Sequence, residues 1–497
     1  MPLFVKLGTA PIYMWDEATY ANNALDMYLA NDAIVVRMEG QPDLYNTKPP
    51  FVLWMQTISL HLFGWNEWAI RLPSAVFALL TMCLLLWFSM VVLENALIGI
   101  MAMFTLASAN GFIAVHVARS GDPDATLVWW TTLYTLVFLK FLLKPGNPKS
   151  HFLLIALGLS GAFLTKGIAG WFLLPLMVIT ALLHGDFWKL LRLKETYIAG
   201  LAVLFVAAGY YLLREKMAPG YWTVVYHSEI LRFNNTVMSW HVQPYYFYLL
   251  NMIQGRFTPF FYVLPFTLLA FWMERDSVIR QCLIYLWILS LGYLLLISYP
   301  ADKLEWYDAP MYPQLSLLIA IFCNSLIRTV TEVRMNNKLN RLVLRGFLAT
   351  SLFLLFAVPY QQMVQRVLEE DDITYAWDHS QLDEFRITGA FMKFLKEKNP
   401  NLKEYTILKS PPADPEHYDQ FLFYKRTYEL KDQYVINLKN HPKDLQRGEK
   451  VLICEKPLMD SVQRYWSTTP LQVWKDCRLD SIEGVINNAL DEPANIQ

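Results

Sequence analysis

Acidic residues cluster at two points where an apolar stretch ends or begins. Trp15-Asp16-Glu17 follows a short N-terminal segment, and Asp122-Pro123-Asp124 directly precedes a long apolar stretch. Asp is a good helix N-cap and complements the helix dipole, so Asp124 alone could be purely structural. Two acidic groups on separate loops instead suggest carboxylates that converge on one reaction centre. Such a carboxylate can accept a hydroxyl proton as a general base, so Asp16, Glu17, Asp122 and Asp124 are the catalytic candidates.

Four basic residues complement these carboxylates. Lys48, Lys166, Arg232 and Lys303 lie in segments that are otherwise poor in positive charge. One explanation is contact with lipid headgroups, because long cationic side chains near helix ends extend toward the membrane–water interface. The other is a bound phosphate or pyrophosphate, which suits Arg as a bidentate fork and Lys as a point charge. His241 precedes an aromatic run, where a hydrogen-bonding role is commoner than metal ligation.

The elements that must position these residues are membrane-spanning helices. The chain has 497 residues, of which 55% are hydrophobic and only 17% charged, against about a quarter charged in soluble domains. Uncharged stretches occupy 72–93, 95–118, 125–139, 150–165, 167–185, 196–213, 257–273, 281–301, 309–327 and 346–365. About 20 apolar residues cross a bilayer as a helix. The sequence therefore predicts an all-α polytopic membrane protein with about 10–11 transmembrane helices. The net charge of −1 gives a nucleic-acid partner no electrostatic support, so none is expected.

Orientation follows from the loops. One alternate set of connections, including 189–194 and 328–345, carries most of the loop Lys and Arg. Cytoplasmic loops have this bias, so the other set, including 16–67 and 119–124, should face outward. The predicted parts are 1–15, a remnant of a first transmembrane helix; 16–67, an extracytoplasmic catalytic loop with amphipathic helices at 17–30 and 49–63; 68–365, the transmembrane domain; and 366–497, an extracytoplasmic domain.

The polar tail, residues 366–497, is predicted to form a small α/β domain. Residues Tyr405–Leu408, Gln420–Tyr424 and Val451–Cys454 are β-like, whereas 384–398 and 458–466 are helix-like. Cys454 and Cys477 could form a disulfide if the tail faces an oxidising compartment.

Several motifs, in unchanged order over roughly residues 12–325, resemble the C-type glycosyltransferases that use polyprenyl-phosphate sugars. The similarity is to bacterial aminoarabinose transferases of lipid A and, more distantly, to protein O-mannosyltransferases. The stretches that carry it are Trp15-Asp16-Glu17-Ala18-Thr19-Tyr20-Ala21, Tyr45-Asn46-Thr47-Lys48-Pro49-Pro50, Leu62-Phe63-Gly64 through Arg71-Leu72-Pro73-Ser74, Ala118-Arg119-Ser120-Gly121-Asp122-Pro123-Asp124-Ala125, Leu164-Thr165-Lys166-Gly167, Arg232-Phe233, His241, Gln243-Pro244, and Lys303, Tyr307, Pro310 and Pro313.

The resemblance implies the C-type fold and roles for individual residues. Asp16 and Asp124 would be the two loop carboxylates, and Tyr20 and His241 further site residues. Lys48, Arg232, Lys303 and Tyr307 would lie near the donor phosphate. Where the aminoarabinose branch has Phe-Glu before the lysine, this chain has Asn46-Thr47. Because that glutamate belongs to the branch's metal site, no metal is carried over, no cofactor is expected, and metal dependence stays open.

On this interpretation the protein moves a sugar from a polyprenyl-phosphate donor to an acceptor outside a bacterial plasma membrane, with inversion at the anomeric carbon. The acceptor could be a lipid A-like glycolipid, a cell-surface glycan or a protein. An enzyme of the O-mannosyltransferase type, acting on proteins, is one alternative. A flippase or transporter of lipid-linked sugars is another, although such proteins usually show internal repeats and midplane charges. A catalytically silent scaffold is a third.

Overall fold

Helices dominate the computed structural model, which describes residues 2–13, 15–114, 116–231, 241–333, 337–369, 382–410 and 420–486. The chain divides into two units. The first comprises Met1–Leu7, Asp26–Gly64 and Ala69–Glu369; the second comprises Gly8–Leu25, Trp65–Trp68 and Glu370–Gln497.

The α-helices up to residue 369 are α1 (Asp16–Ala30), α2 (Phe51–Phe63), α3 (Glu67–Val91), α4 (Ala96–Ser108), α5 (Asn110–Ile113), α6 (Asp124–Leu143), α7 (Pro148–Lys166), α8 (Leu174–His184), α9 (Phe187–Arg192), α10 (Lys194–Met217), α11 (Tyr221–Val225), α12 (Phe247–Asn251), α13 (Ala270–Met273), α14 (Ser277–Ser298), α15 (Tyr312–Glu332) and α16 (Lys338–Glu369). Shorter helical turns cover Gly167–Trp171, Tyr226–Ile230, Met252–Arg256, Phe260–Leu269 and Glu305–Met311. A two-residue hairpin pairs β1 (Arg37–Met38) with β2 (Gln41–Pro42).

The predicted membrane class is confirmed. Among the described residues, seven helices are long and apolar enough to cross a bilayer: Glu67–Val91, Asp124–Leu143, Pro148–Trp171, Lys194–Met217, Ser277–Ser298, Glu305–Glu332 and Lys338–Glu369. An eighth span arises if Phe247–Arg256 and Phe260–Met273, bent by 112°, count as one. The remaining two predicted stretches form the shorter apolar helices Ala96–Ser108 and Leu174–His184. The chain is a multi-span membrane protein. Residues 2–9 form turns, and the helix remnant proposed for 1–15 stays a prediction.

The α6–α7 hairpin is the part of the first unit that matters most for the site. Asn147 begins α7 by accepting a hydrogen bond from the Lys149 amide, and Pro148 occupies the first turn. Gly161 lets the two helices approach closely, because a Cβ there would lie 2.3 Å from the Trp130 ring. The antiparallel pairing brings the end of α7 beside the beginning of α6.

The second unit contains the predicted small sheet domain. Its helices are α17 (Leu382–Lys398), α18 (Gln420–Asp432) and α19 (Lys456–Tyr465), and its strands are β3 (Glu404–Leu408), β4 (Val435–Lys439), β5 (Lys450–Ile453), β6 (Trp466–Trp474) and β7 (Cys477–Val485). The order is β4-β3-β5-β7-β6; β3 pairs in parallel with β4 and β5, and β7 pairs antiparallel with β5 and β6. A Cys454–Cys477 disulfide links the end of β5 to the start of β7.

One strand prediction in the tail is wrong. Gln420–Tyr424 begins helix α18 instead of forming a strand. The buried side chains of this helix include Gln420, Tyr424 and Thr427, which recur at helical spacing. These five residues alone could not distinguish a strand from the first turn of a longer amphipathic helix.

Candidate active site

Asp124 and Lys166 meet at the open end of the α6–α7 hairpin. The Lys166 ammonium donates to Asp124 Oδ1 at 2.7 Å, and their side chains are 11% and 2% exposed. Lys166 also lies 4.9 Å from the centroid of the Tyr307 ring, within the range of a cation–π contact. The hairpin therefore joins a carboxylate and a cation that are 42 residues apart in sequence.

These three residues line a cavity of about 430 Å³ in the first unit. Its polar lining residues are Lys48, Asp124, Lys166, Ser228, Glu229, Asp302, Tyr293 and Tyr307. Its apolar lining residues are Leu127, Ile168, Ala169, Phe172, Ile230, Leu296, Ile297, Pro300 and Pro310. A cavity lined by both cations and many apolar side chains suits an amphipathic ligand that has an anionic head and a hydrocarbon chain.

Lys48 reaches the same cavity from the segment before α2. Its ammonium lies 3.4 Å from Glu229 Oε1. Glu229 Oε2 also accepts from the Tyr211 hydroxyl and from the Ile168 amide, each at 3.3 Å. Nearby, the Ser228 hydroxyl donates to Thr47 Oγ1 at 3.1 Å. Thr47 takes the position at which the aminoarabinose transferases have a glutamate. In this chain it connects the Lys48 segment to the turn that carries Glu229.

A buried ion pair supports the turn that carries Tyr307. Arg256 donates through Nε and Nη2 to the two oxygens of Asp308, at 3.0 and 2.8 Å. The Tyr312 hydroxyl donates to Asp308 Oδ2 at 2.6 Å, and Arg256 Nη2 also donates to the Gly111 carbonyl at 3.2 Å. The partner that a buried Arg256 requires is therefore the residue directly after Tyr307.

Asp122 lies on the loop before α6, fully buried, with its Oδ1 3.5 Å from His116 Nδ1. Burial raises the pKa of this carboxyl, but the His116 ring, the Ser120 hydroxyl and the Lys166 ammonium together hold the pKa below its ordinary value. The loop before α6 thus supplies a second carboxylate that interacts electrostatically with Lys166.

Lys303 and His241 lie on two segments that pair through backbone hydrogen bonds, as neighbouring strands do. The Lys303 amide donates to the His241 carbonyl at 2.9 Å, and the Lys303 ammonium donates to the Gln243 and Pro300 carbonyls at 2.9 and 2.5 Å. Burial lowers the pKa of Lys303, and Asp302 partly offsets this. In this conformation the Lys303 ammonium donates to backbone oxygens. Lys303 and His241 are not among the residues that line the cavity.

Four further predicted residues belong to the second unit or are not described. Arg232 lies outside the described residues. Asp16, Glu17 and Tyr20 belong to the second unit, on the first two turns of α1. There Glu17 is fully buried and accepts from the Tyr13 amide at 2.7 Å, so it stabilises the start of the helix. The catalytic roles of Asp16 and Glu17 stay predictions.

Sequence reasoning missed Glu229 and Asp308. Glu229 pairs with a lysine 181 residues away, and Asp308 with an arginine 52 residues away. The one available signal was the residue type, because a carboxylate inside a largely apolar region needs a partner. The sequence could not identify that partner.

The comparisons with known proteins agree with this architecture. Residues 47–211 match the family model described as dolichyl-phosphate-mannose-protein mannosyltransferase. An undecaprenyl phosphate-α-4-amino-4-deoxy-L-arabinose arabinosyl transferase of Pectobacterium carotovorum is 26% identical over 349 residues, covering 68% of this chain and 61% of the relative. The protein of that name from Pseudomonas aeruginosa is 28% identical over 374 residues, covering 74% and 65%. The chain thus spans less than two thirds of the length of these curated relatives.

Among solved structures, ArnT from Cupriavidus metallidurans bound to undecaprenyl phosphate aligns with a TM-score of 0.71 at 16% identity, over 99% of this chain and 97% of that chain. The chain has the C-type glycosyltransferase fold. The predicted resemblance to C-type glycosyltransferases is confirmed. The candidate site lies on segments that carried the resemblance: Lys48 in the first loop, Asp124 in the second and Lys166 at the end of α7.

Proposed function

We propose that the chain is a membrane glycosyltransferase that moves a sugar from a polyprenyl-phosphate donor to an extracytoplasmic acceptor. The observation that carries the proposal is the cavity in which Lys48, Lys166 and Tyr307 converge beside Asp124, next to aliphatic walls. The two cations suit the phosphate, and the walls suit the first isoprene units. The ArnT neighbour, which has the same fold, was solved with undecaprenyl phosphate bound.

The chemistry is a single displacement at the anomeric carbon. The bond from that carbon to the phosphate oxygen breaks as the bond to the acceptor oxygen forms, and the electron pair leaves with the phosphate. Lys48 and Lys166 stabilise the charge that grows on this leaving group, as in an oxyanion hole. A hydroxyl acceptor loses its proton to a carboxylate, for which Asp16 is the first candidate and Asp124 the second. One displacement inverts the configuration. The proposal requires no cofactor and leaves metal dependence open.

The acceptor is proposed to be a lipid A-like glycolipid or another cell-surface glycan. The identity to aminoarabinose transferases over 68–74% of the chain supports this class. The loop charges support placing the catalytic side and the second unit outside a bacterial plasma membrane. A protein acceptor is the second candidate, which the family model matched over 47–211 favours.

The test is transfer of labelled sugar by the purified protein in detergent, using a panel of undecaprenyl-phosphate sugars and both acceptor classes. Asp124→Asn and Lys166→Met should each lower kcat/KM at least about 100-fold, because each removes one partner of the ion pair at the cavity. Asp186→Asn is the matched control, since Asp186 also pairs with a lysine, Lys189, but does not line the cavity.

Each outcome has a distinct meaning. Transfer that collapses in the cavity variants and persists in Asp186→Asn supports both the class and the site. Full activity in Asp124→Asn and Lys166→Met would refute the site and keep the class. If no donor is turned over and labelled lipid crosses vesicle membranes, the protein is a flippase.

A further inference from the structure

Both lysines of the cavity are already paired with carboxylates. Lys166 binds Asp124 at 2.7 Å, and Lys48 lies 3.4 Å from Glu229. Among the described lining residues there are three carboxylates, the third being Asp302, and two cations. A phosphate that enters this cavity therefore has to share each lysine with a carboxylate.

Glu229 is fixed to the cavity wall by groups other than Lys48. Its Oε2 accepts from the Tyr211 hydroxyl and the Ile168 amide, and its side chain is only 5% exposed. The carboxylate also packs against the Gly167 backbone, where a Cβ would lie 2.5 Å from Oε1.

Lys48 is the more exposed partner. Its side chain is 27% exposed, and its long stem can move. The carboxylate therefore stays in place while the lysine divides its hydrogen bonds between Glu229 and a ligand.

We propose that Glu229 competes with the lipid phosphate for Lys48 and thereby selects against the product. This inference rests on the proposed function. The donor is a phosphodiester with one negative charge, and the product is a phosphate monoester that carries nearly two at neutral pH. Because Coulomb repulsion grows with the charge, a fixed carboxylate disfavours the product more than the donor. Glu229 thus acts as a specificity-determining residue that speeds release of the polyprenyl phosphate, a step that often limits turnover.

The test is equilibrium binding of two probes to the detergent-solubilised protein at pH 7.5: farnesyl phosphate, the monoester, and farnesyl methyl phosphate, the diester. Glu229→Gln keeps the shape and removes the charge. We expect it to tighten the monoester about tenfold and the diester about threefold, since the repulsion scales with the ligand charge. In the Lys48→Met background the same substitution should have a smaller effect, because the contested cation is gone. Glu94→Gln, in a surface pair with Lys144, is the control and should change neither constant.

If Glu229 merely holds Lys48 in position, Glu229→Gln will weaken both probes, and the inference is overturned. An unchanged ratio of monoester to diester affinity overturns it as well. Should Glu229→Gln fail to fold, Glu229→Asp keeps the charge but retracts it from Lys48; a smaller shift in the same direction supports the inference, and equal or weaker monoester binding contradicts it. Wild-type protein that binds neither probe refutes the proposed function itself.

Discussion

The Arg256–Asp308 pair allows a quantitative prediction about stability. Both side chains are almost fully buried, at 3% and 0% exposed, and two hydrogen bonds of 3.0 and 2.8 Å join them. Asp308→Ala removes both short hydrogen bonds and leaves the buried guanidinium with its longer contact to Glu305, whose Oε2 lies 3.8 Å from Nη1 and whose side chain is 39% exposed. Breaking a buried pair in this way costs about 3–5 kcal/mol. We expect Asp308→Ala to lower the free energy of unfolding by that amount.

A paired replacement separates charge from packing. Arg256→Met with Asp308→Leu removes both charges and keeps most of the volume, which is often close to neutral for a buried pair. The Tyr312 hydroxyl loses its acceptor in both variants. The double variant adds the loss of the hydrogen bond to the Gly111 carbonyl, at about 1–3 kcal/mol if that oxygen stays unsatisfied. Because rearrangement can satisfy part of this loss, the double variant should be more stable than Asp308→Ala.

The assay is reversible unfolding in mixed micelles of dodecyl maltoside and SDS, followed by tryptophan fluorescence. Glu94→Ala serves as the control, because Glu94 is 78% exposed in its pair with Lys144 and should contribute no more than about 1 kcal/mol. A loss below about 1 kcal/mol in Asp308→Ala would show that the guanidinium finds another partner or water. A double variant no more stable than Asp308→Ala would show that the charges are not the cause. Either result would refute the reasoning.

Three further outcomes follow from the same structure. Tyr307→Ala removes a ring that lines the cavity and should raise KM for the donor about tenfold. Tyr307→Phe keeps the ring and should change KM less than about threefold. Equal effects of the two substitutions would rule out a role for the ring. Gly167→Ala adds a Cβ at a backbone φ of 58°, so it should destabilise the fold by about 1 kcal/mol or more. The added Cβ would also lie 2.5 Å from Glu229 Oε1, so it should disturb donor binding and raise KM. Reducing Cys454–Cys477 should destabilise the second unit by about 3 kcal/mol in thermal denaturation; an unchanged transition would show that the bridge is dispensable.

The membrane class and the approximate helix positions followed from the sequence by itself. Of the ten uncharged stretches that were predicted, seven coincide with helices long enough to span, one with the bent pair and two with shorter apolar helices, because the length of an apolar run is a local property that a bilayer selects directly. Strands β3 and β5 and helices α17 and α19 were likewise predictable from short-range pattern. Gln420–Tyr424 was not, since five residues are too few to distinguish the two periods.

The composition of the site was only partly predictable. Lys48, Asp124, Lys166 and Tyr307 were singled out by residue type, position and motif order, and all four line one cavity. Their pairing was decided by the tertiary structure: helix packing through Gly161 brings Asp124 to Lys166, and the Tyr226–Ile230 turn brings Glu229 to Lys48. An ion pair across 42 or 181 residues depends on how helices pack, and no local pattern in the chain encodes that geometry.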